Sequence, residues 1–507
     1  MKALRKTMPY PARAGARAWP PRPHAFPVTF NLGKETTGLL KGIKVQLLPY
    51  YQEILDKHRG NRKSGKSHWV CDHVEQFDIS FYVPHDAMQI PDNRLDHIVI
   101  MVNGLNEIDH IHYAHYDRLG AALAFRGLGA ALYPTPFHLN RTPYIDRRFE
   151  GMYRQFPRPK DNPKPLQKWP EAPGAMTMSR RPHCGMMRHP GAIFHCFEQT
   201  SRDLVQLAKT IQGSASASGA GAEYDQLFYD YLFDRTRRPH VSLLGYSLGG
   251  LQVLYTFLKE PELFDHCILV NSGANLKGIR TKPVGIRDNE WDTIVRNAIN
   301  LRNEIPDSIA APHRTILDQV LFNRPFEPGE ANTTLLKNLG KLLFIAGGAD
   351  IVSPGEFLAR FVDPSQLPAD DDFSGLNILQ IAGLGHPLAK STVYDRWFPA
   401  IVNTIERFLR SPARNAVSYE DVLRHLAGYT IHRIPWDKWV DKVQCVDDID
   451  KTLDVLKVLD RIRPIHRRRA YKAEFLRHYL VSKRYFENDS ELLRTLERER
   501  RRKGIKR

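Results

Sequence analysis

The chain has 507 residues, of which 42% are hydrophobic, 10% aromatic and 25% charged; this composition excludes a disordered or fibrous protein and is enough for one large core with appendages. With 73 Lys and Arg against 56 Asp and Glu the net charge is +17, and residues 460–507 alone carry 17 basic against 7 acidic side chains. A solvated helix face is the plain reading of such a tail, and an anionic partner, nucleic acid or an acidic membrane surface, is the sharper one.

The first 40 residues read as a basic, Pro-rich arm with little core-forming content. The arm has no apolar stretch of a secretory signal. A transit peptide would share its basic residues, but this segment lacks serine and its prolines break an amphipathic helix. No apolar run approaches the eighteen or so residues of a membrane span. The five cysteines, Cys71, Cys184, Cys196, Cys267 and Cys445, are odd in number and scattered, which fits a reducing compartment and an expected cytoplasmic location.

Residues 44–48 and 77–83 read as early strands. Between them, Gly60-Asn61-Arg62-Lys63-Ser64-Gly65-Lys66-Ser67 matches the G-x-x-x-x-G-K-S phosphate loop letter for letter. That loop works only between a buried strand and a helix N-terminus, whereas residues 53–59 are charged and helix-like, so we read the string as a solvated basic loop.

His97-Ile98-Val99-Ile100-Met101-Val102 is nearly continuous in apolar residues, as expected of a strand covered on both faces. A helix over 116–127 and a strand over 130–133 follow, and strand, helix, strand implies a right-handed crossover in a parallel sheet. From about 134 to 190 the chain is rich in Pro, Arg and His without a period, and reads as an insertion over the sheet edge. It carries His138, Asn140 and Arg141, read as surface-loop residues with pocket lining as the alternative. His183, Cys184, His189, His195 and Cys196 show no tight metal-binding pair, so neither a metal nor any other cofactor is expected. A helix over 194–211, a flexible linker at 214–219 and a helical turn or two at 224–233 lead to the next strand.

That strand ends in Gly245-Tyr246-Ser247-Leu248-Gly249 and continues as a helix. The pattern is G-x-S-x-G, in which small residues on either side let the backbone turn sharply enough to expose a serine. Strands over 267–270, 341–347 and 377–382 follow, with a lid-like excursion at 275–338 and a closing helix over 394–409. Asp350 and His386 each fall just past one of these strands, as Ser247 does, at the sheet edge where ligands bind in open α/β folds. The strand before offers Asn271-Ser272-Gly273-Ala274 and no carboxylate, so Asp350 has little competition as the acid. In this assignment Ser247 is the nucleophile, His386 its base and Asp350 the residue that fixes the imidazole tautomer, in the chain order Ser, Asp, His. The Leu248 N–H and one from Gly104-Leu105, preferably Leu105, would receive the oxyanion.

The chain resembles an α/β-hydrolase over about residues 95–410, and within that superfamily the branch of monoglyceride lipases and lysophospholipases. There the third strand ends in a His-Gly-Leu-x-x-Glu turn before an aromatic-rich helix; here the turn is Asn103-Gly104-Leu105-Asn106-Glu107 and the helix carries Tyr113 and Tyr116. Asn103 replaces the histidine, and Tyr133-Pro134-Thr135-Pro136-Phe137-His138 replaces the branch's Asp-x-x-Gly-His-Gly. The expected fold is therefore a mostly parallel sheet flanked by helices over residues 41–412, with a basic helical C-terminal domain over 413–507. The expected activity is hydrolysis of a small carboxylic ester or thioester through an acyl-enzyme, with Asn103, Gly104, Tyr246 and His138 as candidate pocket residues. An amidase or peptidase of the same fold, or a non-catalytic protein that binds an anionic partner through its C-terminal domain, are the alternatives.

Overall fold

The computed structural model describes residues 28–31, 36–63, 69–89, 94–105, 107, 110–141, 144–145, 191–213, 228–233, 237–272, 293–296, 311–321, 338–347, 350, 377–382, 384–386, 388, 392–410 and 443–445. The chain divides into two compact units: residues 1–244, 255–265 and 290–314 form the first, and residues 245–254, 266–289 and 315–507 the second.

The first unit begins with β1 (Val28–Asn31) and β2 (Thr36–Lys44), an antiparallel pair, and β2 in turn runs antiparallel to β4 (Gln76–Pro84). These two strands correct the expected arm. Residues 28–31 and 36–40 of that stretch belong to the sheet, where Leu39 is buried. Their glycines, lysines and threonines dilute the apolar pattern by which a strand is recognised. The expected strand at 44–48 ends at Lys44 instead, and the chain turns at Pro49 into helix α1 (Pro49–Lys63). The first four residues of the phosphate-loop string, Gly60–Lys63, form the last turn of this helix, so they do not follow a strand.

After the two-residue strand β3 (Trp69–Val70), β4 and the short helix α2 (His85–Gln89), the chain enters β5 (His97–Val102), which is buried at every position. Helix α3 (His110–Phe125) then crosses to β6 (Gly129–Tyr133), which pairs parallel with β5 and antiparallel with β4. The helix approaches β4 so closely at Gly120 that a Cβ there would overlap the Tyr82 ring. Strand β7 (Tyr144–Ile145) pairs with β3, and helix α4 (Ala192–Ile211) covers the whole of the expected 194–211 helix and two residues more. With β8 (His240–Tyr246), the strand order in this unit is β1-β2-β4-β6-β5-β8. A buried His97 Nε2···Ser242 Oγ hydrogen bond of 2.9 Å joins β5 to β8.

Helix α5 (Leu248–Lys259) leaves the elbow and strand β9 (His266–Val270) follows. Helix α6 (Ala311–Leu321) comes next, then β10 (Leu342–Gly347), β11 (Asn377–Ala382) and helix α7 (Thr392–Arg410). In the second unit β9, β10, β11 and β12 (Val443–Cys445) are neighbours in that order, and every pair is parallel. Strand β12 corrects the expectation of a purely helical C-terminal domain; three residues are too few to show a period of two. The architecture is thus a mixed sheet, antiparallel through β4 and parallel in the later pairs, flanked by helices.

Most of both expected insertions, the basic tail at 460–507, and His183, Cys184 and His189 lie outside the described residues. No helix among the described residues is long and apolar enough to cross a membrane.

Candidate active site

The site in the second unit is built on three strand ends. At the first, β8 stops at Tyr246 and α5 starts at Leu248, so one residue makes the whole turn. Ser247 has φ 54°, in the left-handed region that a serine adopts only under constraint. The constraint is visible around it. The Ser247 N–H donates to the Val270 carbonyl at 2.9 Å, and the Gly250 N–H donates to the Ser247 carbonyl at 3.0 Å. A Cβ on Gly245 would overlap the Gly249 carbonyl, and one on Gly250 would overlap the Ser272 side chain. Gly245 is thus required by contact as well as by pattern, and Gly250 by contact alone.

At the second strand end, β10 stops at Gly347 and the Asp350 N–H donates back to the Gly347 carbonyl at 3.1 Å. The third is β11, followed by Leu384, Gly385 and His386. These ends meet: a Cβ on Gly347 would overlap the Leu384 carbonyl. The three side chains stand in line, with Ser247 Oγ 2.9 Å from His386 Nε2 and His386 Nδ1 2.9 Å from Asp350 Oδ2. Ser247, at 9% exposed, is the most accessible of the three, against 6% for His386 and 4% for Asp350. A neutral imidazole in this position accepts from the serine on one nitrogen and donates to the carboxylate on the other.

Tyr246, a candidate pocket residue, directs its hydroxyl elsewhere. It donates to the His386 carbonyl at 2.7 Å, and its ring centroid lies 5.5 Å from the imidazole. Asn271, which the sequence offered only as the absence of an acid, also reaches this loop. Its amide nitrogen donates to the carbonyls of Gly385 at 2.9 Å and His386 at 3.2 Å.

In the first unit, the turn after β5 is held from within. The Gly104 N–H donates to Glu107 Oε2 at 2.7 Å, and the Tyr116 hydroxyl donates to the same oxygen at 2.7 Å. Gly104 is therefore the poorer of the two N–H groups considered for an oxyanion. Asn103 uses both ends of its amide inside the fold, donating to the Gly104 carbonyl at 2.9 Å and accepting from the Thr135 N–H at 2.8 Å. The Asn103 side chain thus ties the ends of β5 and β6 together.

The segment 134–141 is likewise no surface loop. His138 is 1% exposed and its Nδ1 lies 2.9 Å from the Pro136 carbonyl, while Asn140 donates to the Asp78 carbonyl at 2.6 Å. Arg141 is fully buried: its Nη1 donates to the Tyr133 hydroxyl at 2.6 Å and Asp203 Oδ2 at 3.0 Å, and its Nε to the Val74 carbonyl at 2.7 Å. A guanidinium can enter the core here because a carboxylate on α4 meets it. His195, once considered beside Cys196 for a metal, stacks on Tyr50 with ring centroids 3.9 Å apart, and burial pushes its pKa down to about 4. Among the described residues no group of three metal-ligating side chains gathers.

Strand, elbow serine and helix, with the acid and then the histidine after later parallel strands, follow the α/β-hydrolase order. No protein-family model matches the chain, and no curated protein matches it by sequence. Solved structures do. An S-formylglutathione hydrolase from Agrobacterium tumefaciens is 13% identical with a TM-score of 0.37, the match covering 78% of this chain and 100% of that one. The peroxisomal α/β-hydrolase Lpx1 from Saccharomyces cerevisiae is 13% identical with a TM-score of 0.34, covering 81% of this chain and 98% of that one. A monoacylglycerol lipase from Paleococcus ferrophilus is 14% identical with a TM-score of 0.27, covering 61% and 94%.

Proposed function

We propose that this chain is a serine hydrolase of the α/β-hydrolase fold that cleaves a small carboxylic ester or thioester through an acyl-enzyme. The observation that carries the reading is the unbroken line from Ser247 Oγ through His386 to Asp350, with the serine presented on a strained elbow.

The chemistry follows from that line. A serine hydroxyl is not ionised at neutral pH, so attack on the substrate carbonyl requires its proton to pass to His386 Nε2 as the carbon–oxygen bond forms. Asp350 fixes the tautomer that leaves Nε2 free to accept, and stabilises the imidazolium once formed. The negative charge then sits on the former carbonyl oxygen, where the Leu248 N–H at the start of α5 is a donor. Collapse expels the alcohol or thiol, protonated by the imidazolium, and leaves the acyl group on Ser247. Water, activated by the same imidazole, releases the acid.

The test is a panel of p-nitrophenyl esters of increasing acyl length and the corresponding thioesters, run with the wild-type protein and with Ser247→Ala. Hydrolysis lost in the variant supports the reading. Equal turnover by both proteins, or none by the wild type, refutes it.

A further inference from the structure

Asn271 is the first residue after β9, and its place is unusual on three counts. Its φ is 45°, in the left-handed region where asparagine is tolerated far better than most residues. It is 1% exposed. Its backbone N–H and both ends of its side-chain amide are also used in the second unit. The backbone N–H donates to the Ile345 carbonyl on β10 at 2.8 Å. The side-chain Oδ1 accepts from the Gly347 N–H at 2.9 Å, and Nδ2 donates to the carbonyls of Gly385 and His386. Because one side of the amide faces a donor and the other faces two acceptors, its orientation is fixed by its partners.

One side chain therefore grips two loops at once. Gly347 ends the strand that delivers Asp350, and Gly385-His386 is the loop that delivers the base. The His386 carbonyl also accepts from the Tyr246 hydroxyl, so the peptide that carries the imidazole is held by two donors, one at the end of β8 and one just after β9. The Asp350–His386 and His386–Ser247 contacts are both 2.9 Å, and a shift of that peptide would lengthen one or both.

We propose that Asn271 is a positioning residue of the hydrolase: its amide sets the distance between the acid loop and the histidine loop and so keeps the imidazole in register with both Asp350 and Ser247. The inference rests on the serine-hydrolase reading. No other common side chain meets the same demands. Alanine lacks all three contacts and is strained at this φ; aspartate keeps the acceptor for Gly347 but turns a carboxylate oxygen toward two carbonyls.

The test compares the full-length wild type with Asn271→Asp, Asn271→Gly and Tyr246→Phe, with turnover expressed per site titrated by a fluorophosphonate. Asn271→Gly preserves the backbone conformation and removes only the side chain. If Asn271 positions the base, kcat per titrated site falls about 100-fold in both Asn271 variants while KM changes little, the scale expected of a misplacement of about 1 Å. A residue that merely supports the fold would lower the titratable fraction and the unfolding temperature but leave kcat per titrated site where it is; that result in the Asn271 variants overturns the proposal. If both fail to fold, Tyr246→Phe, which removes the other donor to the same carbonyl, decides: about a tenfold loss of kcat per titrated site with KM little changed supports the clamp, and an unchanged kcat per site overturns it. A wild type that neither hydrolyses esters nor is labelled at Ser247 overturns the underlying reading instead, and the two failures are distinct.

Discussion

Two buried aspartates, one in each unit, are held in opposite ways. Asp203 sits in a closed knot in which Arg141, Gln199 and the Tyr133 hydroxyl all donate to it, and Arg141 and Gln199 continue to backbone carbonyls at Val74 and Gln46. Asp350 instead begins an open line that runs through one imidazole to one hydroxyl. A knot of this kind stabilises one arrangement of the chain, since the Asp203 carboxylate is met by three donors within the fold. A line that ends on a serine leaves that hydroxyl's oxygen available to react. On the serine-hydrolase reading proposed above, the same residue type is structural in one place and chemical in the other, and the difference lies in whether the network closes.

Several substitutions test that distinction, beginning with the largest expected effect. Ser247→Ala removes the end of the line; ester turnover is expected to fall about 10⁶-fold with the unfolding temperature unchanged, read by steady-state kinetics beside thermal denaturation. Asp350→Asn leaves the geometry but not the tautomer, and a loss of about 10⁴-fold in kcat is expected. If Asp350→Asn retained near wild-type turnover, another carboxylate would have to serve as the acid. Arg141→Met opens the knot and strands the Asp203 carboxylate in the core. Its expected cost is about 3–5 kcal/mol in urea unfolding, with kcat per titrated site unaltered. A loss below about 1 kcal/mol would show the knot to be ornamental.

The smallest effect is a slope. Burial raises the Asp117 carboxyl to about pKa 7, although it accepts from the Tyr82 hydroxyl at 2.6 Å. An acid whose folded pKa lies above its ordinary value of 3.8 keeps its proton in the fold while the unfolded chain releases it, so stability falls as pH rises from about 4 to 7 and is level above. His195 acts in the opposite sense: its folded pKa of about 4 lies below the ordinary 6.5, so its contribution is present above about 6.5 and is lost as pH falls toward 4. The two slopes offset one another in the wild type. Asp117→Asn removes one of them, and its stability relative to wild type is expected to grow from pH 4 to 7, measured by urea unfolding across that range. Parallel profiles would contradict the assignment.

What was legible in the sequence follows the same division. The open line could be read because each member stands just after an apolar run of six or so residues, and such runs mark buried parallel strands without help from the rest of the chain. The glycines of the elbow were legible for a similar reason: their constraint is local. The closed networks were not. Arg141 and its partner Asp203 are 62 residues apart, Asn271 and Gly347 76, and nothing near Arg141 announces that a carboxylate will meet it. A basic, Pro-rich segment at 134–141 therefore looked like a surface loop and is a buried turn. Asn271 carried one faint signal, an asparagine directly after a strand, the residue type suited to a left-handed turn. Strands β1 and β2 were hidden by their polar and glycine content, and β12 by its length.

The measurement that bears most directly on the central claim is labelling of the intact protein by a fluorophosphonate, read by mass spectrometry of its peptides. A single adduct on the peptide that contains Ser247, absent from the Ser247→Ala variant and slowed in His386→Ala, is the expected result. A wild-type protein that remains unlabelled, or an adduct that persists when Ser247 is replaced, would contradict the assignment of this line of residues as a hydrolase active site.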